Sequence, residues 1–170
     1  MTLASYHKPD FSPVADEAAI VRGDRFRFTV LTPRVVRAEY DPDGEFEDRP
    51  SQVFWHREQP VPDYDVSRDD GQLIIETEAL RLEYATNEPF SASTLSAFVR
   101  ETDTVWQYGD DEANMGGTVR TLDRVVGSTD LEPGLLSGDG WTVIEDTDRL
   151  VFEDWGTPRD AHEDYEDLYF

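Results

Sequence analysis

RFRFTV, residues 25–30, alternates strictly: Phe26, Phe28 and Val30 fall on one face, Arg25, Arg27 and Thr29 on the other. Side chains of an extended chain point to opposite sides with a period of two. The pattern is therefore that of a half-buried strand, apolar face inward and polar face outward. Thr32-Pro33 interrupts the run, VVRAEY (35–40) resumes it, and DPDG (41–44) supplies a type I turn with proline at its second position. The two runs read as antiparallel neighbours.

The same signal recurs down the chain. In QLIIETEALRLEYAT (72–86), Leu73 and Ile75, then Leu80, Leu82 and Tyr84, alternate with polar partners. TLSAFVR (94–100) and TVWQYG (104–109) bracket the hairpin-length turn ETD; WTVIED (141–146) and RLVFEDW (149–155) bracket TD in the same way. DLYF (167–170) adds a short apolar run. Short strands with turns at roughly ten-residue spacing predict an all-β, antiparallel β-sandwich of low helix content. Residues 1–20, with Pro9 and Pro13 and no clear period beyond the ambiguous DEAAIV, read as a tail or edge segment; residues 21–170 read as the sandwich. The interval 110–140 has no strand pattern, and structureless loops of that length are uncommon and often functional. It holds NMGGTVRTLD (114–123) and leads into LEPGLLSGDGW (131–141), turn-rich and poor in charge.

Composition excludes several function classes. Fifteen basic against 38 acidic residues give a formal charge of −23, and Lys8 is the single lysine beside fourteen arginines. Such a surface repels phosphate backbones and anionic lipid, which argues against nucleic-acid and membrane partners. Interspersed acids with 12 % aromatic and 38 % hydrophobic residues indicate a folded chain. An acid-rich, lysine-poor surface also suits concentrated salt, where charge repulsion is screened within about 3 Å at 1 M, so salt adaptation is expected. There is no cysteine, no apolar run of membrane-spanning length and no signal-peptide pattern, so a cytoplasmic location is the expectation.

No catalytic, cofactor or metal motif emerges. His7, His56 and His162 are far apart and outside any HxxxH or HExxH arrangement. DPDGEFED and DYDVSRDDG lack the glycine spacing of a calcium loop. GLLSG is not the nucleophile-elbow pattern G-x-S-x-G. Near the long loop, Gly116 and Gly117 suit backbone geometry denied to other residues, and Arg120 with Asp123 can pin the loop base. Arg49 reads as the ion-pair partner of Glu47 or Asp48. Trp141 opens an alternating run and so fits a core position, and Asp139 fits a turn.

In order and spacing, RFRFTVLTPRVVRAEYDPDGEFEDRPSQVFWHR, GGTVRTLD, LEPGLLSGDGWTVIED and DYEDLYF resemble the N-terminal domain of family 31 glycoside hydrolases, the α-glucosidase and α-xylosidase group. The likeness runs from about residue 21 to the end. It implies a sandwich of the galactose-mutarotase type, packed on a (β/α)8 barrel that carries an aspartate nucleophile and an aspartate general acid. DLYF would be the connector into that barrel. This chain would then hold no catalytic residue and be inactive alone. Its partners would be the barrel of the same parent and an α-linked oligosaccharide or glycoside, and an isolated sandwich would self-associate through an uncovered apolar face. The resemblance further implies that Ser137, Asp139 and Trp141 bind sugar from a loop over the barrel mouth, with Gly116, Gly117, Arg120 and Asp123 supporting it. Gly138 stands where many relatives carry arginine. The competing expectation is a stand-alone carbohydrate-binding or regulatory protein on the same sandwich.

Overall fold

The computed structural model describes residues 9–86, 88–117, 126–128, 131, 133–153, 156–159 and 164–170. Two antiparallel five-stranded sheets face each other. Sheet 1 runs in the order β1 (Ile20–Arg22), β2 (Phe26–Thr32), β3 (Val35–Tyr40), β12 (Glu166–Tyr169), β9 (Ile144–Glu145). Sheet 2 keeps chain order: β4 (Asp65–Asp69), β5 (Gln72–Glu76), β6 (Leu80–Ala85), β7 (Leu95–Val99), β8 (Thr104–Gln107). A two-stranded ribbon pairs β10 (Val151–Phe152) with β11 (Gly156–Thr157). The all-β sandwich predicted from alternation is therefore present. The DEAAIV segment splits into a single 3-10 turn, Glu17–Ala19, capped by the Asp16 carboxylate on the Ala18 amide, and then β1. Among the described residues no helix is long and apolar enough to cross a membrane.

The inner faces follow the period-two reading. Phe26, Phe28 and Val30 pair in register with Tyr40, Ala38 and Val36, and all six point into the core. Opposite them stand Leu73, Ile75, Leu82, Tyr84, Leu95, Ala97 and Trp106. The rings of Phe26 and Phe28 meet Tyr84 edge-on at 5.1 and 5.4 Å, which joins the two layers. Trp106 packs on Phe170 at 5.1 Å, and Phe170 exchanges backbone hydrogen bonds with Val36, so the last residue is stitched into both sheet and core.

Two expectations change. The polar face of β2 is not solvent-facing: Arg27, Thr29, Arg37, Glu39 and Asp167 on the outer side of sheet 1 are all buried. They lie beneath segment 46–57 and the β10–β11 ribbon, tied in by Phe152 N–H donating to Pro50 O and by Phe54 stacking on Tyr169 at 5.0 Å. Second, WTVIED and RLVFEDW do not pair across their TD turn. The turn forms, with Arg149 N–H donating to Asp146 O, but β9 pairs with β12 and β10 with β11. Asp146 becomes fully buried at this divergence, 2.9 Å from the Arg159 guanidinium, which anchors the chain away from a simple hairpin. DYDVSRDDG, whose sequence carries no apolar alternation, contributes an edge strand, β4, all of it exposed.

Candidate functional site

The glycine-rich segments 113–117 and 133–141 form one structure. Asn114 pairs with Ser137 in an antiparallel bridge; Met115 N–H donates to Leu136 O at 2.9 Å, and Gly138 N–H to Ala113 O at 2.9 Å. The Asn114 side chain completes the brace. Its Oδ1 accepts from the amides of Gly116 and Gly134 at 2.9 and 2.8 Å, and its Nδ2 donates to Gly134 O at 3.0 Å. One amide group thus satisfies three backbone groups of two segments twenty residues apart, as a strand partner would.

Glycine is required where these segments cross. A Cβ on Gly134 would collide with the carbonyl oxygen of Gly116, and Gly117 lies against Gly134 Cα. At the other end of the loop, Gly140 has φ +79°, and a Cβ there would also meet Thr102. Gly116, at φ +69°, and Gly117 both lie at this crossing. Arg120 and Asp123 lie outside the described residues.

Beyond the brace the loop turns its apolar side chains outward: Leu135 and Leu136 are 70 % and 68 % exposed, and Met115 beside them is exposed as well. Ser137 Oγ accepts from Asp139 N–H at 3.1 Å, and the Asp139 backbone oxygen accepts from Thr104 Oγ1 at 3.2 Å, fastening the loop to the start of β8. Among the described residues no hydrogen bond or ion pair engages the Asp139 carboxylate. A cavity of about 350 Å³ opens beneath, lined by Leu135, Leu136, Ser137, Gly140, Trp141 and Phe170 among others.

The structure brings Ser137, Asp139, Gly116 and Gly117 into one loop system but gives Trp141 a different place from an open platform. Its ring is only 8 % exposed, stacked on Phe170 at 6.3 Å and inclined to Trp106 at 6.5 Å. The alternation of Trp141 with Val143 turns the indole inward, so it forms a cavity wall and core packing together. The sequence reading missed Asn114, although an asparagine directly before Met-Gly-Gly is a turn-former with a backbone-like side chain. It also missed Thr104, which looks like any strand threonine. Arg49 pairs with Glu47 at 2.7 Å, as one of its two expected partners, and also with Glu153. Among the described residues no group of three or more histidine, cysteine or acidic side chains is placed to hold a metal ion. Comparison with protein-family models and with curated proteins finds no match to this chain.

Proposed function

We propose that this chain is the non-catalytic N-terminal β-sandwich of an α-glycosidase of the family 31 type, which packs on a catalytic barrel and lends the 133–141 loop to the sugar pocket. The observation that carries this reading is the loop itself. A braced loop holding a leucine pair in water forgoes burial worth about 1.5–3 kcal/mol for each side chain. Its neighbours in that loop, Ser137 and Asp139, supply a hydroxyl and an unengaged carboxylate. Leucines that dock on a second domain and a carboxylate that accepts two sugar hydroxyls account for both features. The burial of Trp141 narrows the sugar contacts to Asp139 and Ser137.

The genomic reading frame tests the module. Continuation past codon 170 into a barrel of about 250 residues or more supports it; a stop codon there overturns it in favour of the stand-alone binder. In the full-length parent, Asp139→Ala should lower kcat/KM about 10–100-fold, the loss of hydrogen bonds to a charged acceptor, while thermal stability stays unchanged. Wild-type kinetics would remove Asp139 from the site.

A further inference from the structure

The seam between the edge strands β1 and β4 is closed without a core residue from β4. That strand is an edge of sheet 2, and none of its five residues is buried. In its ladder with β5, Val66 stands opposite Ile75 and Arg68 opposite Leu73, and residues so paired share a face. Ile75 and Leu73 are buried, so Val66 and Arg68 hold the inner positions of β4. Val66 is nevertheless 42 % exposed. Arg68 reaches across the seam instead: its guanidinium lies over the Phe26 ring at 6.0 Å and donates to Arg22 O at 3.0 Å. Beside it a cavity of about 390 Å³ runs from Gly23 and Phe26 to the turn at Asp70-Gly71.

The strand is fastened at its ends. Asp70 and Gly71, at φ +45° and +80°, form the two-residue turn into β5 that left-handed backbone permits. Gly71 O accepts from Thr86 N–H and from Thr86 Oγ1 at 2.7 and 2.9 Å, which ties this turn to the residue after β6. At the other end Tyr64 Oη donates to Ala18 O at 2.7 Å. Between these ends the charges oppose closure. Asp65 lies directly across from Glu76, and like charges so placed weaken a ladder. Arg100 and Arg81 approach Glu76, at 2.7 and 3.8 Å, whereas no ion pair engages Asp63, Asp65, Asp69, Asp70 or Glu78 among the described residues.

Repulsion among solvated charges reaches about 10 Å at 0.1 M salt but only about 3 Å at 1 M. Between its fastened ends, β4 sets against that repulsion only its ladder and the exposed contacts of Arg68, and exposed contacts are individually weak. Strands β5, β6 and β7 carry buried residues at alternate positions and do not depend on that balance. We propose that β4 is a strap set by ionic strength. Concentrated salt lays it on β5 with Arg68 across the seam. Dilute salt lets it lift about the Asp70-Gly71 turn, which uncovers Phe26 and frees the edge of β5. The inference is independent of the role proposed for the loop.

The test follows amide hydrogen exchange of the 170-residue chain at constant pH in 0.1, 0.5 and 2 M KCl. Protection of the β4–β5 ladder should rise roughly tenfold from the lowest salt to the highest, while β6 and β7 stay protected throughout. A chain carrying both Asp65→Asn and Asp69→Asn should already be protected at 0.1 M and respond little to added salt, which separates charge repulsion from any general effect of salt on burial. Arg68→Gln should lower β4 protection at every salt concentration and leave β6 and β7 as they are. Salt-independent protection of β4, loss of β6 and β7 together with β4 at 0.1 M, or an undiminished salt response in the double variant overturns the strap. An Arg68→Gln chain that exchanges like the wild type overturns the contact across the seam.

Discussion

The two sheets solve the same problem differently. In sheet 2 the outer face meets water: β5, β6 and β7 alternate buried and half-buried residues along their lengths, and the outward pairs Arg81–Glu83 and Arg100–Glu76, both at 2.7 Å, are solvated. In sheet 1 the outer face is covered, and the same kind of alternating sequence buries arginines and acids. Arg27 donates twice to Glu39 at 2.6 and 3.0 Å, and Arg37 donates twice to Asp167 at 2.8 and 2.7 Å. Arg159 adds a 2.6 Å bond to Asp167, and Arg57 donates to Tyr169 Oη at 2.8 Å and to Arg49 O at 2.8 Å. Exposed ion pairs contribute about 0–1 kcal/mol. Buried ones add little net stability over an apolar core, yet losing one partner costs far more, because the other charge stays buried and alone. Polar alternation on a strand thus specifies pairing across the sheet, and coverage by later segments decides what each pair is worth.

The sharpest way to break the comparison is a matched pair of truncations. Arg37→Met, which removes the bidentate partner of Asp167 and leaves it Arg159 alone, should destabilise by about 3–5 kcal/mol in urea unfolding, whereas Arg81→Met on sheet 2 should change stability by no more than about 0.5 kcal/mol. Equal effects would show that the covering segments do not exclude water from sheet 1.

Acid titration sharpens it next. Burial pushes the Asp167 carboxyl up, but the guanidinium groups of Arg37 and Arg159 outweigh it and hold it at about 2. With a folded value below the ordinary ~3.9, Asp167 contributes stability above about pH 4 and loses it as pH falls toward 2, on the order of 2–3 kcal/mol. Glu39, raised by burial before the opposing pull of Arg37, works in the other sense and softens the loss. Urea midpoints that stay flat from pH 5 to pH 2 would contradict the assignment.

Asn114→Ala should cost about 1–3 kcal/mol locally, since it leaves Gly116 and Gly134 backbone groups without partners. Amide exchange should speed at Gly134 and Leu136 and stay slow in β5 and β6. The smallest effect belongs to Glu166, at the seam between the sheets. Its folded value of about 7 lies above the unfolded value. The stabilisation from holding its proton is therefore full below about pH 4.5 and is lost as pH rises to 7. Glu166→Gln should leave Tm unchanged near pH 4 and raise it by about 1–3 °C at pH 8.

Much of the fold was legible because alternation is a local property. The inner faces of β2, β3, β5, β6, β7 and β8 stand where the spacing of Phe26, Leu73, Leu82 and Trp106 puts them. Strand β4 escaped because DVSRD, exposed throughout, carries no apolar face to count. The false hairpin at Thr147-Asp148 arose because turn signals mark reversals but not partners. In the loop, Gly116 and Gly117 were recognisable as positions that suit glycine, whereas Asn114 acquired its role only when Gly134, far along the chain, came beside it.

By itself, then, the amino-acid order determined the sheet periodicity, the inward aromatic face, the turn positions and the acid excess, since each depends on neighbours within a few residues. Tertiary structure alone decided that the arginines of β2 and β3 lie under cover and that β9 joins β12. The first depends on segments more than a hundred residues apart meeting in space: Arg37 finds Asp167 only after the last strand has entered the sheet.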